Sequence, residues 1–139
     1  MYKRQHYNQF KSFENKFVKV LPFVENMANA YAISDLVICR SGALTCSEIT
    51  YCGKPSILLP LKNSAGDHQK RNAESLSKNG AAIIAEESSL ANEDFIELID
   101  DLINSEKKLK KMAANSLNLR YPNAVSEISE SAMRLIKNV

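Results

Sequence analysis

The chain has 139 residues, 45% of them hydrophobic and 24% charged, and its 18 basic and 16 acidic side chains give a formal net charge of +2. This length allows one domain, or part of a larger one, with a real core. The charge argues neither for nor against an anionic partner of modest size, but the sequence shows no basic stripe of the kind that a nucleic-acid-binding protein needs. No apolar run approaches the roughly 20 residues that span a bilayer, and the polar start lacks the apolar segment of a signal peptide. We therefore expect a cytoplasmic globular protein.

The first third of the chain predicts a helix, a strand and a second helix. Aromatic residues recur at helical spacing over residues 7–17. Residues 18–24 are mainly apolar and rich in valine, which predicts a strand, and Pro22 near its end places it at an edge or exit of the sheet. Residues 25–34 then predict a short helix with apolar residues on one face.

The central unit of the chain lies in residues 35–60, with the sequence DLVICRSGALTCSEITYCGKPSILLP. Residues 36–39 predict a buried strand, and residues 43–52 predict a helix that Gly53 closes. Residues 56–59 predict a second buried strand. Strand, tight turn, helix and strand together form a βαβ unit, which requires a parallel sheet.

The rest of the chain predicts one more strand and then only helices. Asp67 is a suitable N-cap for a helix that stops at Gly80, and residues 81–85 predict the next strand. Amphipathic helices are predicted at residues 92–104, 106–119 and 123–137. The expected fold class is α/β: a Rossmann-like, three-layer domain with a parallel sheet of four strands and a helical C-terminal tail. A doubly wound half normally opens with a strand and a glycine-rich loop, whereas the first predicted element here is a helix and no such loop is present. We therefore expect residues 1–139 to form a single, partial domain.

The three cysteines, Cys39, Cys46 and Cys52, are odd in number and show no CxxC spacing. They fall in or beside predicted core elements. This pattern favours small buried thiols in a reducing compartment over a disulfide framework or a metal site.

The turn from the first predicted strand of this unit into its helix has the chemistry of an anion site. Ser41 and Gly42 are small residues where the backbone must bend sharply, so nothing bulky shields the first free amides of the helix. Those amides belong to Ala43, Leu44 and Thr45. Free amides and the positive end of the helix dipole suit a phosphate, and Glu48 follows one turn later, where a carboxylate suits a ribose diol. A well-capped helix without a ligand explains the same corner.

Two further loops are expected at the same edge of the sheet, because ligands of doubly wound sheets lie beyond the carboxyl ends of the strands. The first loop offers an apolar surface for a flat base, through Phe23, Val24 and Met27. The other offers polar side chains for sugar hydroxyls, in Asp67, His68 and Gln69. A base surface, a phosphate site, a diol acceptor and a sugar reader together describe a nucleotide-sugar pocket.

A resemblance to a known family is carried by the stretch CRSGALT-SEI, followed by GKPSILLP and DHQ-RNA. Over residues 20–90 this stretch resembles the C-terminal, donor-binding domain of bacterial family-28 glycosyltransferases of the GT-B fold. These enzymes transfer N-acetylglucosamine from UDP-N-acetylglucosamine (UDP-GlcNAc) during peptidoglycan synthesis. The helical tail fits the ending of the family loosely.

The resemblance implies a role for each matching residue. The contact with uracil falls on the backbone of Val24, with Met27 nearby. The family's diphosphate-binding positions correspond to Ala43, Leu44 and Thr45. The residue that binds the ribose corresponds to Glu48, and the one that binds the GlcNAc hydroxyls corresponds to Gln69. Arg40 matches a family arginine to which we assign no step beyond bracing the turn, and His68 is expected to be a pocket-wall residue rather than a base.

The activity that the resemblance implies is inverting GlcNAc transfer to the C4 hydroxyl of lipid-linked muramoyl pentapeptide, with UDP as the leaving group. The resemblance implies no metal, because such enzymes do not need one bound by a DxD motif, and the sequence has no such motif. No cofactor is expected. The catalytic base and the lipid acceptor site belong to an N-terminal domain that does not match this chain. We therefore expect a donor-binding fragment, inactive alone, of an enzyme that is peripheral on the inner face of the plasma membrane.

Three other interpretations stay open. The chain could be a non-catalytic or split UDP-sugar-binding subunit that needs a partner chain. It could come from a family-28 transferase that uses another acceptor, such as diacylglycerol. It could also be a Rossmann-like domain with no ligand.

Overall fold

The structure, a computed structural model, describes residues 6–62 and 64–137. Within these ranges the chain forms three strands and seven α-helices, with short 3-10 turns at Ala65–Asp67 and Glu87–Ser89. The strands are β1 (Val37–Cys39), β2 (Ser56–Leu58) and β3 (Ala82–Ile84). The helices are α1 (Tyr7–Lys11), α2 (Met27–Ile33), α3 (Ala43–Tyr51), α4 (His68–Lys78), α5 (Glu93–Ile103), α6 (Glu106–Asn118) and α7 (Ala124–Lys137).

The chain divides into two compact units, residues 1–33 and 34–139, and each is described by itself. The first unit contains α1 and α2, and the second contains the sheet and the remaining helices. The expectation of a single domain over residues 1–139 stays a prediction.

The strand predicted at residues 18–24 is wrong, because the structure forms no strand there. The Asn15 side chain binds the backbone where such a strand would begin: its Oδ1 accepts hydrogen bonds from the amides of Phe17 at 2.8 Å and Val18 at 3.0 Å. This local side-chain bonding competes with strand pairing. The helix predicted over residues 7–17 is likewise too long, since α1 ends at Lys11 and tight turns follow.

The sheet has the strand order β1-β2-β3, and both pairings are parallel. The central residues Ile38, Ile57 and Ile83 are in register across it. The chain passes from β1 to β2 through α3 and from β2 to β3 through α4. The βαβ unit and the α/β class are therefore confirmed, with three strands in the described ranges in place of the predicted four.

Helices cover both faces of the sheet. On one face Ile57 packs in a buried cluster with Phe95 and Leu102 of α5 and Met112 of α6. Side chains alternate along a strand, so the fully buried Leu58 points to the opposite face, where Ile49 of α3 and Ala73 of α4 are also fully buried. The result is a three-layer arrangement in which α5, α6 and α7 form the predicted helical tail.

Helices α3 and α4 both end at a glycine with positive φ, as the sequence predicts. Gly53 has φ +61 and Gly80 has φ +67, values that other residues adopt only with strain. After each glycine a backbone amide bonds back across the last turn, from Lys54 to Ile49 and from Ala81 to Leu76, both at 3.0 Å.

The helix predicted after Asp67 is confirmed, but the capping role predicted for this residue is wrong. Asp67 occupies the position before α4 with φ 54, and its side chain makes no capping hydrogen bond. The left-handed backbone continues from Gly66 at φ 61, so a tight turn rather than an aspartate cap starts this helix.

Candidate functional site

The candidate site lies where the three parallel strands end, as expected for a doubly wound sheet. The segments that leave this edge are residues 40–42 after β1, residues 59–61 after β2 and residues 85–87 after β3. The segment after β1 is joined to the segment after β2 by a hydrogen bond and to the segment after β3 by an ion pair. The segments after β1 and β2 are also hydrogen-bonded to the start of α4.

The N-terminus of α3 is open. Gly42 is extended at φ −63 and ψ 149, and no side-chain hydrogen bond caps this terminus. The Gly42 carbonyl accepts the first helical bond, from the amide of Cys46 at 2.9 Å. Leu44 is 74% exposed, and a Cβ placed on Gly42 would come no closer than 3.8 Å to the Thr45 hydroxyl. The corner is therefore not plugged by a side chain in the part of the chain that the structure describes.

A pair of hydrogen bonds from Ser41 and Asn72 ties this corner to α4, and we call the pair the Ser41–Asn72 clasp. The completely buried Ser41 donates its hydroxyl to the Gln69 carbonyl at 2.7 Å. Asn72 donates its Nδ2 to the Ser41 carbonyl at 3.0 Å. The clasp brings Gln69 next to the turn before α3, so two segments that the sequence assigned to one pocket do meet.

The side-chain amide of Gln69 has a defined orientation. The amide N–H of Leu61 donates to Oε1 of Gln69 at 3.0 Å. Since a backbone N–H can only donate, the atom that faces it must be the oxygen. The Nε2 group, with its two donors, points elsewhere and suits an acceptor oxygen such as a sugar hydroxyl.

The remaining predicted site residues fall in two groups. Glu48 is half-buried on α3 and follows Leu44 by four residues, so both project from the same side of the helix. Val24 and Met27 belong to the other compact unit, Val24 half-buried and Met27 exposed at the start of α2. The predicted contact of Glu48 with the ribose, and that of Val24 and Met27 with uracil, stay predictions.

Arg40 links the ends of all three strands. Its Nη1 donates to the Leu59 carbonyl at 3.3 Å, and its Nη2 lies 2.8 Å from Oε1 of Glu87. Both charged side chains are about half exposed, so this ion pair stabilises the fold by at most about 1 kcal/mol. His68 is exposed as the first residue of α4.

Sequence reasoning missed Ser41 and Asn72 as organising residues. The only signal was the presence of Asn72 in the quoted DHQ-RNA stretch, three residues after Gln69. Residues three apart on a helix share a face, which points Asn72 and Gln69 in the same direction. What that face met could not be known without the fold.

Two cavities lie beside the elements of the site, one along the groove between α3 and α4 and one where β2 and β3 end. One of about 530 Å³ is lined by residues that include Ala43 of α3, Asn72 of α4 and Tyr121. Another, of about 380 Å³, lies between Leu61, Lys70 and Glu87. Neither is lined by Glu48 or Gln69. In the described ranges, no group of three His, Cys, Asp or Glu residues is placed to hold a metal ion.

The three cysteines are free, and two of them have perturbed thiols. Burial, with a smaller contribution from the nearby Cys46, raises the pKa of Cys39 to about 11. Burial also raises the pKa of Cys46. Thiols of this kind are poor nucleophiles at neutral pH, which fits structural rather than catalytic cysteines.

We expect iodoacetamide at pH 8 to alkylate Cys39 about 100-fold more slowly in the folded chain than in urea, as a pKa rise from 9.0 to about 11 implies. The raised pKa of Cys39 also makes the free energy of unfolding depend on pH. The contribution of the protonated thiol to this free energy is complete below the unfolded pKa of 9.0 and is lost as the pH rises toward the folded pKa of about 11. Peptide mass spectrometry over a time course measures the rate. Equal rates for Cys39 in the folded and unfolded chain would contradict the assignment.

An open parallel sheet with helices on both faces, and an uncapped helix N-terminus at its carboxyl edge, define a Rossmann-like domain. The chain belongs to the glycosyltransferase family 28 C-terminal domain family, whose model matches residues 1–131. The C-terminal half of a GT-B glycosyltransferase predicted from the sequence is thereby confirmed.

Two similar curated proteins carry the same name, UDP-N-acetylglucosamine--N-acetylmuramyl-(pentapeptide) pyrophosphoryl-undecaprenol N-acetylglucosamine transferase. The Chlorobium phaeobacteroides protein is 39% identical over 117 residues, 84% of this chain and 32% of the relative. The Halothermothrix orenii protein is 47% identical over 104 residues, 75% of this chain and 28% of the relative. The chain therefore spans about a third of the length of the relatives it matches.

A solved structure shows the same fold. The crystal structure of Acinetobacter baumannii MurG matches with a TM-score of 0.86 and 32% sequence identity. The match covers 94% of this chain and 39% of that protein. No helix in the described ranges is both long enough and apolar enough to cross a membrane.

Proposed function

We propose that this chain binds UDP-GlcNAc and forms the donor half of an inverting N-acetylglucosaminyltransferase of peptidoglycan synthesis. The observation that carries the proposal is the Ser41–Asn72 clasp, which brings the open N-terminus of α3 and Gln69 together. The names of the relatives support the donor and the reaction. In this proposal the amides of Ala43, Leu44 and Thr45 bind the diphosphate.

The same residues supply a mechanism for the proposed transfer. When the C4 hydroxyl of the acceptor sugar gives its proton to the catalytic base and its oxygen bonds to C1 of GlcNAc, the bond from C1 to the diphosphate oxygen breaks and UDP departs with the electron pair. Negative charge then grows on the diphosphate, where the α3 amides and helix dipole are already oriented to stabilise it. Glu48 holds the ribose, and Nε2 of Gln69 donates to the GlcNAc hydroxyls.

We assign three functions to the part of the relatives that lies outside the third of their length matched by this chain. These are binding of the lipid-linked muramoyl pentapeptide acceptor, the catalytic base and the membrane contact. No metal or cofactor takes part in the proposed transfer. The chain alone should therefore bind the donor without transferring the sugar.

Isothermal titration calorimetry of the 139-residue chain tests the proposal. We expect UDP to bind, and UDP-GlcNAc to displace it more effectively than UDP-glucose or UDP-galactose because of the sugar contact at Gln69. Absence of UDP binding would contradict the donor site. A preference for UDP-glucose or UDP-galactose would instead favour a family-28 transferase with another substrate.

A split subunit that needs a partner chain is the second candidate, and the surface of α7 favours it. Several large apolar side chains of α7 are exposed in the described structure: Val125, Ile128, Met133, Leu135 and Ile136. Such a surface is typical of an interface. Adding the N-terminal portion of a relative as a separate chain should restore transfer, and Ile128→Asp should abolish that restoration while leaving UDP binding intact.

A further inference from the structure

We propose that Asn72 and Ser41 are positioning residues that fix the distance between the diphosphate site and the sugar reader, and so set selectivity for the donor sugar. The inference rests on the proposed UDP-sugar function and adds a role to residues to which that function gives no ligand contact. Its basis is the path of hydrogen bonds that joins the α3 corner to Gln69.

The path begins at Ser41, which is completely buried and held at both polar ends. Its hydroxyl donates to the Gln69 carbonyl at 2.7 Å, and its carbonyl accepts from Nδ2 of Asn72 at 3.0 Å. Ser41 lies directly before Gly42, the residue that starts α3. The first turn of α4 therefore cannot shift relative to the α3 amides without breaking one of these bonds.

The path continues through the side chain of Gln69. Its main-chain carbonyl is held by Ser41 and its Oε1 by the amide of Leu61 at 3.0 Å. Leu61 lies two residues after Leu59, which is itself held to the end of β1. The Leu59 carbonyl accepts a hydrogen bond from Arg40 at 3.3 Å, and the Leu59 amide donates to the Cys39 carbonyl at 2.9 Å. Gln69 is thus fixed on two sides, and its Nε2 donors are presented in one direction.

This arrangement has a consequence for selectivity. A ligand that bridges the α3 amides and Nε2 of Gln69 must place an acceptor oxygen at one set distance from its diphosphate. Epimers and analogues that move that oxygen lose the contact and leave polar groups unpaired. Loosening the clasp should therefore weaken sugar discrimination more than it weakens binding of UDP, which does not reach Gln69.

The experiment compares the dissociation constants of UDP, UDP-GlcNAc and UDP-galactose for the 139-residue chain and for Asn72→Ala. We expect the preference for UDP-GlcNAc over UDP-galactose to fall about tenfold in the variant, close to the loss of one hydrogen bond, while the UDP constant changes less than about threefold. Asn79→Ala is the matched control, since Asn79 also donates its Nδ2 to a backbone carbonyl, that of Ser75, but at the far end of α4. We expect it to leave the preference unchanged.

A second variant keeps the test decisive if Asn72→Ala does not fold. Ser41→Ala removes only the hydroxyl bond to Gln69 and should give the same selective loss of sugar preference. A purely structural role would lower all affinities together and leave the preference intact, which would overturn the inference. Absence of UDP binding by the unsubstituted chain would instead refute the proposed function on which the inference rests.

Discussion

Gly53→Ala should destabilise the chain by about 2–5 kcal/mol, the largest effect that we expect from any single substitution at this fold's turns. The backbone of Gly53 has φ +61, where an L-residue costs about 1–2 kcal/mol. The added Cβ would also meet the Leu117 side chain of α6, with Cδ2 at 2.8 Å and Cδ1 at 2.9 Å. Overpacking of this kind costs about 1–3 kcal/mol. Urea unfolding, with the midpoint compared at constant slope, measures the loss.

Gly80→Ala is the matched control for this prediction. Gly80 also closes a helix with positive φ, +67, but a Cβ there would meet only the flexible end of Asn115, at 2.8 Å from its Nδ2. We expect about 1–3 kcal/mol: about 1–2 kcal/mol for the backbone, and up to about 1 kcal/mol for the exposed hydrogen bond from Asn115 Nδ2 to the Gly80 carbonyl (3.1 Å), which the Cβ would displace. The double variant Gly53→Ala with Leu117→Ala should be less destabilised than the sum of its two single variants, because the clash is then absent. Equal losses for the two glycine variants would contradict the steric part of the argument.

The βαβ unit could be predicted because its signals are local. The apolar run before Arg40, the small residues at Ser41 and Gly42, and Gly53 after the helix each determine the backbone over a few residues. These features needed no knowledge of distant contacts, and the structure bears them out.

The errors occur where side chains decide the backbone conformation. The composition of residues 18–24 indicated a strand, but Oδ1 of Asn15 accepts hydrogen bonds from the Phe17 and Val18 amides, and a turn forms where the strand would begin. Asp67 has the right identity for a cap, but the positive φ of two successive residues removes the geometry that a cap needs. Neither conflict is visible in hydrophobic periodicity.

The candidate site could be predicted only in part, for a related reason. Free amides at a helix start follow from sequence, since they depend on small residues and on the helix itself. The Ser41–Asn72 clasp joins residues 31 apart in the chain, and such a pairing depends on how α4 packs against α3. Composition around Asn72 carries no trace of that packing.

Glu48→Ala should weaken UDP binding by about 1–3 kcal/mol, which is roughly a 5- to 150-fold rise in the dissociation constant. Glu48 is a half-buried residue, and in the proposed site its carboxylate accepts hydrogen bonds from the ribose diol. Its replacement by a methyl group would leave the ribose hydroxyls without that acceptor. Glu48→Gln keeps one acceptor oxygen and should give an intermediate loss. Calorimetric titration of each variant with UDP measures the effect, and thermal unfolding shows that the fold is intact.

Glu97→Ala provides the matched control for Glu48→Ala, because Glu97 is an exposed glutamate on α5 and has no role in the proposed site. Its UDP constant should stay within about twofold of the unsubstituted chain, as is usual for surface positions. The ribose assignment is tested further with 2′-deoxy-UDP and 3′-deoxy-UDP. Removing the hydroxyl that Glu48 binds should weaken binding to the unsubstituted chain but scarcely affect Glu48→Ala, since the two changes remove the same interaction. Additive losses would place the Glu48 carboxylate away from the ribose and leave the α3 amides as the supported part of the donor site.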